Sequence, residues 1–269
     1  MKAQTPERHK SVIRPEAPLR YGICQWCLPV KGPAMCAAAR DAGLSGIELD
    51  FSPELEDRAD AFLEAAKKAG IVFPTLGMNI FCSQSYVAPG SEAFFEEQVT
   101  RAASLAVKLG VHILQLPAFF ASEITDEATL TQAARNLKAG CAIAADNGLI
   151  LGTENALSLE QNRELFALAD SPALRFYFDT QNLWRMKGMT NRPVFTGMRD
   201  KLCEVHVKDS VMENGAQKWM PLGQGDAEFG SSCALLRDSA YSGWVLLENE
   251  YTDVTDIRRD LAVVKAKLG

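Results

Sequence analysis

The sequence is poor in histidine, in basic excess and in long apolar runs, and each shortage closes off a class of function. Three histidines stand in 269 residues, which caps any histidine-rich metal site. Lys and Arg number 28 against 34 Asp and Glu, a formal charge of −6, and the pI is near 5.3. A nucleic-acid binder needs a basic field to meet phosphate, so no nucleic-acid partner is expected. No apolar run reaches the roughly 18 residues of a membrane span, so no membrane partner is expected either. Residues 1–19 are polar, charged and proline-containing, without the apolar stretch of a secretion signal. They are expected to form a leader or an arm over the floor of the main domain, with His9 outside the chemistry. Cys24-Gln-Trp-Cys27 has no second Cys-x-x-Cys to pair with and falls at a strand end rather than opening a helix, so packing is favoured over redox or zinc. Seven cysteines, an odd number, fit free thiols in a reducing cytoplasm. Cys36, Cys141 and Cys233 fall within helical patterns as core fillers.

What remains is an ordinary globular composition, 47% hydrophobic and 23% charged, long enough to bury a full core. Short apolar or β-branched runs recur at 21–26, 46–51, 72–79, 111–117, 149–155, 174–180, 202–208 and 244–251. Helical patterns follow at 33–43, 56–70, 91–110, 126–148 and 159–169, then a broken helical stretch to 200, a long loop with a helix over 227–241, and a closing helix over 255–268. Gly43, Gly70, Gly110 and Gly148 each end a helical pattern just before a strand, where glycine enters the left-handed region cheaply. Ser158 and Gln161 form a capping box for the fifth helix. Strict alternation implies a parallel sheet. At about 31 residues per unit it predicts a single-domain (β/α)8 TIM barrel over 20–269. A doubly wound open sheet is the alternative, but that fold opens on a glycine-rich turn, and Trp26-Cys27-Leu28-Pro29 is not one.

Barrel chemistry sits at the C-terminal strand ends. There the fifth strand carries Glu154, the sixth Asp179, the seventh His206 and the eighth Glu248. Each acid follows apolar residues, at a depth where an unpaired carboxylate is costly. One cation would compensate all of them at once. Three oxygen ligands and one nitrogen suit Mn²⁺, Mg²⁺ or Co²⁺ better than thiolate-bound zinc.

The sequence resembles the xylose isomerase-like TIM barrels, in the sugar isomerase/epimerase branch that includes D-tagatose 3-epimerase and hydroxypyruvate isomerase. The resemblance rests on Gly46-Ile47-Glu48-Leu49, Glu154, Asp179-Thr180, His206-Val207-Lys208-Asp209, Pro221-x-Gly223-x-Gly225 and Glu248. It implies that Glu154, Asp179, His206 and Glu248 bind one divalent ion, and that Glu154 and Glu248 exchange a proton with a ketose through a metal-bound enediolate. An isomerase or epimerase on a small carbohydrate is the reading this supports. A lyase or dehydratase on a keto-sugar, keto-inositol or 3-oxo-glycoside is the first alternative, and a non-catalytic barrel subunit the second. Asp179-Thr180-Gln181-Asn182 stands where the epimerases carry Asp-x-x-His, so an amide replaces the imidazole, and Met212 takes the place of their arginine. Ala156 replaces the histidine base that several of the dehydratases carry after the strand-five glutamate. The family's DNA-repair endonucleases need far more histidine than this chain has.

Candidates for substrate contact are Trp26, Asn79, Gln115, Glu160, Asn182 and Lys208, with Trp184 and Arg185 at the rim. Phe81, Phe119 and Phe120 are candidates to cap the pocket or to form a homo-oligomer contact. Gly223-Gln224-Gly225 offers a phosphate cradle, but no paired basic residues flank it, which favours an unphosphorylated substrate. His112 is expected at the barrel floor.

Overall fold

Strands that are apolar on both faces bury fully only when helices cover one face and the sheet closes on the other. A computed structural model describes residues 18–269 and shows this arrangement. The expected leader lies almost wholly outside the described residues, as does His9. The elements in order are β1 Arg20–Cys24, α1 Met35–Asp41, β2 Gly46–Asp50, α2 Pro53–Ala69, β3 Thr75–Gly77, α3 Glu92–Leu109, β4 Ile113–Pro117 and α4 Glu127–Asp146. There follow β5 Ile150–Glu154, α5 Leu159–Ala169, β6 Leu174–Asp179, α6 Asn182–Lys187, α7 Asn191–Met198, β7 Leu202–Val207, β8 Ser210–Glu213, β9 Ala216–Trp219, α8 Phe229–Asp238, β10 Trp244–Leu247 and α9 Val254–Leu268. Strands β1 to β7 and β10 form a closed parallel barrel, with β10 returning to pair with β1.

The capping chemistry appears where the sequence puts it. Gly70 and Gly110 end α2 and α3 at φ of 67° and 71°. The Ser158–Gln161 box opens α5. Three boundaries differ, each for a local reason. The first strand stops at Cys24, and Gln25–Cys27 forms a 3-10 turn that carries Trp26 over the barrel mouth. The third strand shrinks to Thr75–Gly77 because Pro74 just before it has no N–H to give the ladder. The long loop expected after the seventh strand contains an antiparallel hairpin, β8 with β9. Its turn is Asn214-Gly215, both at positive φ (53° and 80°), the pairing that two-residue hairpins favour.

His112 is exposed at the barrel floor beside Arg20 and Arg175, far from the strand ends that matter below. Near that floor Gly22 and Gly46 stand side by side in register, and the Trp244 ring presses on Gly46 where a side chain would begin. The Arg20 guanidinium stacks on the same indole, 4.6 Å from its centroid. A methyl at this position overpacks a region that cannot give way. Gly46→Ala is therefore expected to cost about 1–3 kcal/mol, read as a lower urea midpoint with an unchanged slope.

Candidate metal centre

Adjacent parallel strands in register bring their last residues to one level. Asp179, the last residue of β6, stands opposite His206 on β7, and His206 stands opposite Leu246 on β10. Glu154 ends β5, and Glu248 follows β10 with its N–H bonded to the Val207 carbonyl at 2.9 Å. Glu154, Asp179, His206 and Glu248 each offer one ligand atom, and these four atoms lie within 4.8 Å of one another.

Each side chain is held by its neighbours. Glu154 accepts from Asn182 Nδ2 at 2.8 Å and from Gln115 Nε2 at 2.6 Å, one amide on each oxygen. Asp179 Oδ1 accepts the backbone N–H groups of Gln181 (2.8 Å) and Asn182 (2.6 Å) where α6 begins. Glu248 Oε2 accepts from Lys208 Nζ at 2.6 Å, and its Oε1 from the Trp26 indole N–H at 3.3 Å. His206 Nδ1 faces Glu248 at 3.1 Å and Glu154 at 3.4 Å. Its other nitrogen, Nε2, faces the barrel interior and Glu48 Oε2 at 2.7 Å.

The electrostatics follow from burial and crowding. Burial pushes Asp179 up to about 6; Lys208 opposes this, and Glu154 and Glu248 add to it. Burial also works against charge on Glu248, but Lys208 and then His206 outweigh it and hold Glu248 below the usual carboxylate range. Burial disfavours charge on His206, yet Glu248, Glu48 and Glu154 raise its pKa well above normal.

The donor set fits a divalent cation. His206 Nδ1 and Asp179 Oδ2 are buried without a hydrogen-bond partner; Lys208 Nζ lies 3.2 Å from that Oδ2 in charge contact only. With a neutral imidazole, three carboxylates against the Lys208 ammonium leave two negative charges, which a divalent ion cancels. Glu154, Asp179, His206 and Glu248 would hold it.

A cavity of about 390 Å³ opens above the cluster. Of the residues nominated from sequence, Trp26, Asn79, Gln115, Asn182 and Lys208 line it. Glu160 does not: it is exposed in the first turn of α5 and is not among the lining residues. Phe119 and Phe120 line the mouth, with Phe120 70% exposed, whereas Phe81 is wholly buried against Tyr86 and Phe95. The Gly223-Gln224-Gly225 loop offers no anion cradle. Asp209 already takes the N–H groups of Gly223 (2.9 Å), Gly225 (3.0 Å) and Ala227 (3.3 Å).

Sequence reasoning assigned no role to two buried residues. Gln181 lines the cavity with both amide atoms unpartnered, and an amide in a loop carries no signal of its own. Glu48 stood in a quoted motif but had no partner until the barrel closed.

Comparisons with known proteins place this chain among relatives. Residues 36–267 match the family model described as xylose isomerase-like TIM barrel. The chain is 30% identical over 242 residues to the 2-epi-5-epi-valiolone 7-phosphate 2-epimerase of Actinoplanes sp., covering 87% of this chain and 88% of that one. A D-allulose 3-epimerase from Methylomonas sp. superposes at a TM-score of 0.76 with 15% identity, over 94% of this chain and 99% of that chain. A xylose isomerase-like TIM barrel protein from Mycobacterium smegmatis, in complex with magnesium, superposes at 0.68 with 15% identity, over 94% and 98%.

Asp179 and His206 must both shed protons before they can act as ligands. With Asp179 raised to about 6 and His206 raised as well, Mn²⁺ affinity is expected to climb as pH rises from 5 to 7.5. Titration calorimetry in two buffers of different ionisation enthalpy should show proton release at neutral pH. A flat affinity with no buffer dependence would contradict this electrostatic picture.

Proposed function

The chain belongs to the xylose isomerase-like TIM barrels, and from that premise we propose that it is a divalent-metal-dependent isomerase or epimerase of a sugar or related ketone, working by proton transfer beside the carbonyl. The observation that carries this reading is the convergence of Glu154, Asp179, His206 and Glu248 under an open cavity, with a nitrogen and a carboxylate oxygen left unpartnered. Bound Mn²⁺, Mg²⁺ or Co²⁺ would supply Lewis acidity to a substrate carbonyl and its neighbouring hydroxyl.

The protein's own groups divide the remaining work. Glu154 is pinned by two neutral amides and Glu248 by an ammonium, so the two carboxylates stand in unlike environments. Glu248 is 16% exposed, on the cavity side, and the Lys208 ammonium beside it favours its ionised form, which suits a base that takes a proton from carbon. Glu154 is the partner that returns a proton. Return to the opposite face gives epimerisation, and return to the adjacent carbon gives isomerisation. The Trp26 ring and the amides of Asn79, Gln115 and Asn182 supply a stacking face and hydroxyl-binding groups of the kind sugars need. Lys208 stays an ammonium beside Asp179 and Glu248, so it is a poor base for a competing elimination. The epimerase relative supports the same choice. All seven cysteines are free, which supports a reducing, cytoplasmic setting, and no helix among the described residues is long and apolar enough to cross a membrane.

One observation favours an anionic substituent on the substrate. Arg185 lines the cavity one helical turn from Gln181 and makes no ion pair among the described residues, while the other cation in the lining, Lys208, is committed to the cluster. The relative's name places a phosphate on its cyclitol. Arg185→Gln is expected to raise KM for a phosphorylated ketone about tenfold or more with little change in kcat, and to leave its unphosphorylated counterpart unaffected.

The reaction itself is tested by incubating ketoses and cyclitol ketones in D₂O with saturating Mn²⁺ and following deuterium beside the carbonyl. Exchange without elimination is expected, and Glu248→Gln should slow it by at least about 10²-fold while the circular dichroism spectrum stays the same. Double-bond formation would favour the lyase reading, and full exchange in the variant would remove Glu248 from the mechanism.

A further inference from the structure

Below the metal centre, inside the barrel, lies a second polar cluster that the proposed chemistry does not use. Glu48 on β2 reaches across the interior to His206 on β7, and both are wholly buried. Three groups converge on Glu48 Oε2: His206 Nε2 at 2.7 Å, the Tyr177 hydroxyl at 2.8 Å and, more weakly, the Cys24 thiol at 3.8 Å; the hydroxyl and the thiol also lie 3.0 and 3.4 Å from that imidazole nitrogen. Its other oxygen has no partner. Glu48 is absent from the cavity lining, so it cannot touch a substrate.

We infer that Glu48 is the positioning residue that presents His206 to the divalent ion, an inference that rests on the metal reading of the site. Imidazole has two nitrogens, and a hydrogen bond at one decides what the other can do. When Nε2–H donates to Glu48, Nδ1 keeps a free lone pair. Nδ1 is the nitrogen that faces Glu154 and Glu248 and has no hydrogen-bond partner. The acceptor also fixes the ring plane and raises the basicity of the ligating nitrogen. Tyr177 takes part by holding the carboxylate in place, with its ring 4.6 Å from the imidazole at 64°.

Two other readings of the cluster fail on its own chemistry. Cys24, Glu48 and His206 lie close enough to hold a separate ion. Burial, however, pushes the Cys24 thiol well up, so it keeps its proton, and the His206 nitrogen on that side already faces Glu48 Oε2 and the Tyr177 hydroxyl. A purely structural role is the second reading. A buried carboxylate costs several kcal/mol of solvation, and a neutral amide would fill the same space and accept the same bonds. What the amide lacks is the charge that makes the imidazole a stronger ligand.

The test is Glu48→Gln, with Mn²⁺ binding followed by calorimetry and the tautomer of His206 read by long-range ¹H–¹⁵N NMR of the Mg²⁺-loaded protein. A dissociation constant about 10- to 100-fold higher is expected, with Nε2–H protonation clean in the parent and mixed in the variant. The unfolding midpoint of the metal-free variant should stay the same or rise, because a buried charge has gone. Tyr177→Phe, which frees the carboxylate to turn, should weaken Mn²⁺ binding a few-fold, and it decides the question if Glu48→Gln does not fold. Unchanged affinity in the variant, with or without a lower midpoint, makes Glu48 structural and overturns the inference while leaving the proposed function intact. Failure of the parent protein to bind Mn²⁺ overturns the metal reading and this inference together.

Discussion

Three carboxylates within one small volume repel one another, and the rest of the mouth is arranged around that repulsion. Glu154, Asp179 and Glu248 come from three strands whose register leaves them no route apart. Lys208 bridges two of them, His206 faces the third, and amides or backbone N–H groups occupy most of the remaining oxygens. The balance still falls short by two charges when the imidazole is neutral. That shortfall is what supports reading the site as a place for a divalent cation rather than a network satisfied by itself.

The same crowding gives the two glutamates different characters. Neutral amides hold Glu154 in a fixed orientation, whereas the Lys208 ammonium favours the ionised form of Glu248. Acid–base work on carbon benefits from such a difference, because one group must arrive ionised and its partner must supply a proton. Lys208 shapes that difference while itself remaining charged. Beneath this layer a second, dry one supports it. Glu204 and Thr75 hydrogen-bond inside the barrel, and burial pushes the Glu204 carboxyl well up, with Glu48 adding to it. The polar groups thus run from the cavity, through Glu154, Asp179, His206 and Glu248, to acids buried inside the barrel.

Much of the fold was legible because it depends on local chemistry. Left-handed glycines end helices wherever they stand, and the Ser158–Gln161 box works within four residues. That Glu154, Asp179, His206 and Glu248 stand together at the mouth was legible for a related reason: a carboxylate or imidazole at the end of an apolar strand is conspicuous in any barrel. The hairpin at Asn214-Gly215 was also written locally, but its exposed strands lack apolar alternation, which hid it inside an expected loop. Glu160 was named as a substrate contact but stands exposed in the first turn of α5, because a residue's place in the chain does not say which side of a helix faces the cavity.

The sequence by itself determined the alternation of strands and helices, the free cysteines, the shortage of histidine and the identity of the four strand-end residues. Each of these follows from composition or from neighbours a few positions away. Only the tertiary structure decided that Asp209 fills the Gly223–Gly225 loop, that Arg185 and Gln181 line the same wall, and that Glu48 stands behind His206. Glu48 and His206 are far apart in the chain, and their contact exists only because the barrel closes and turns its strand interiors toward one another; the other two depend on how the chain folds over the barrel mouth.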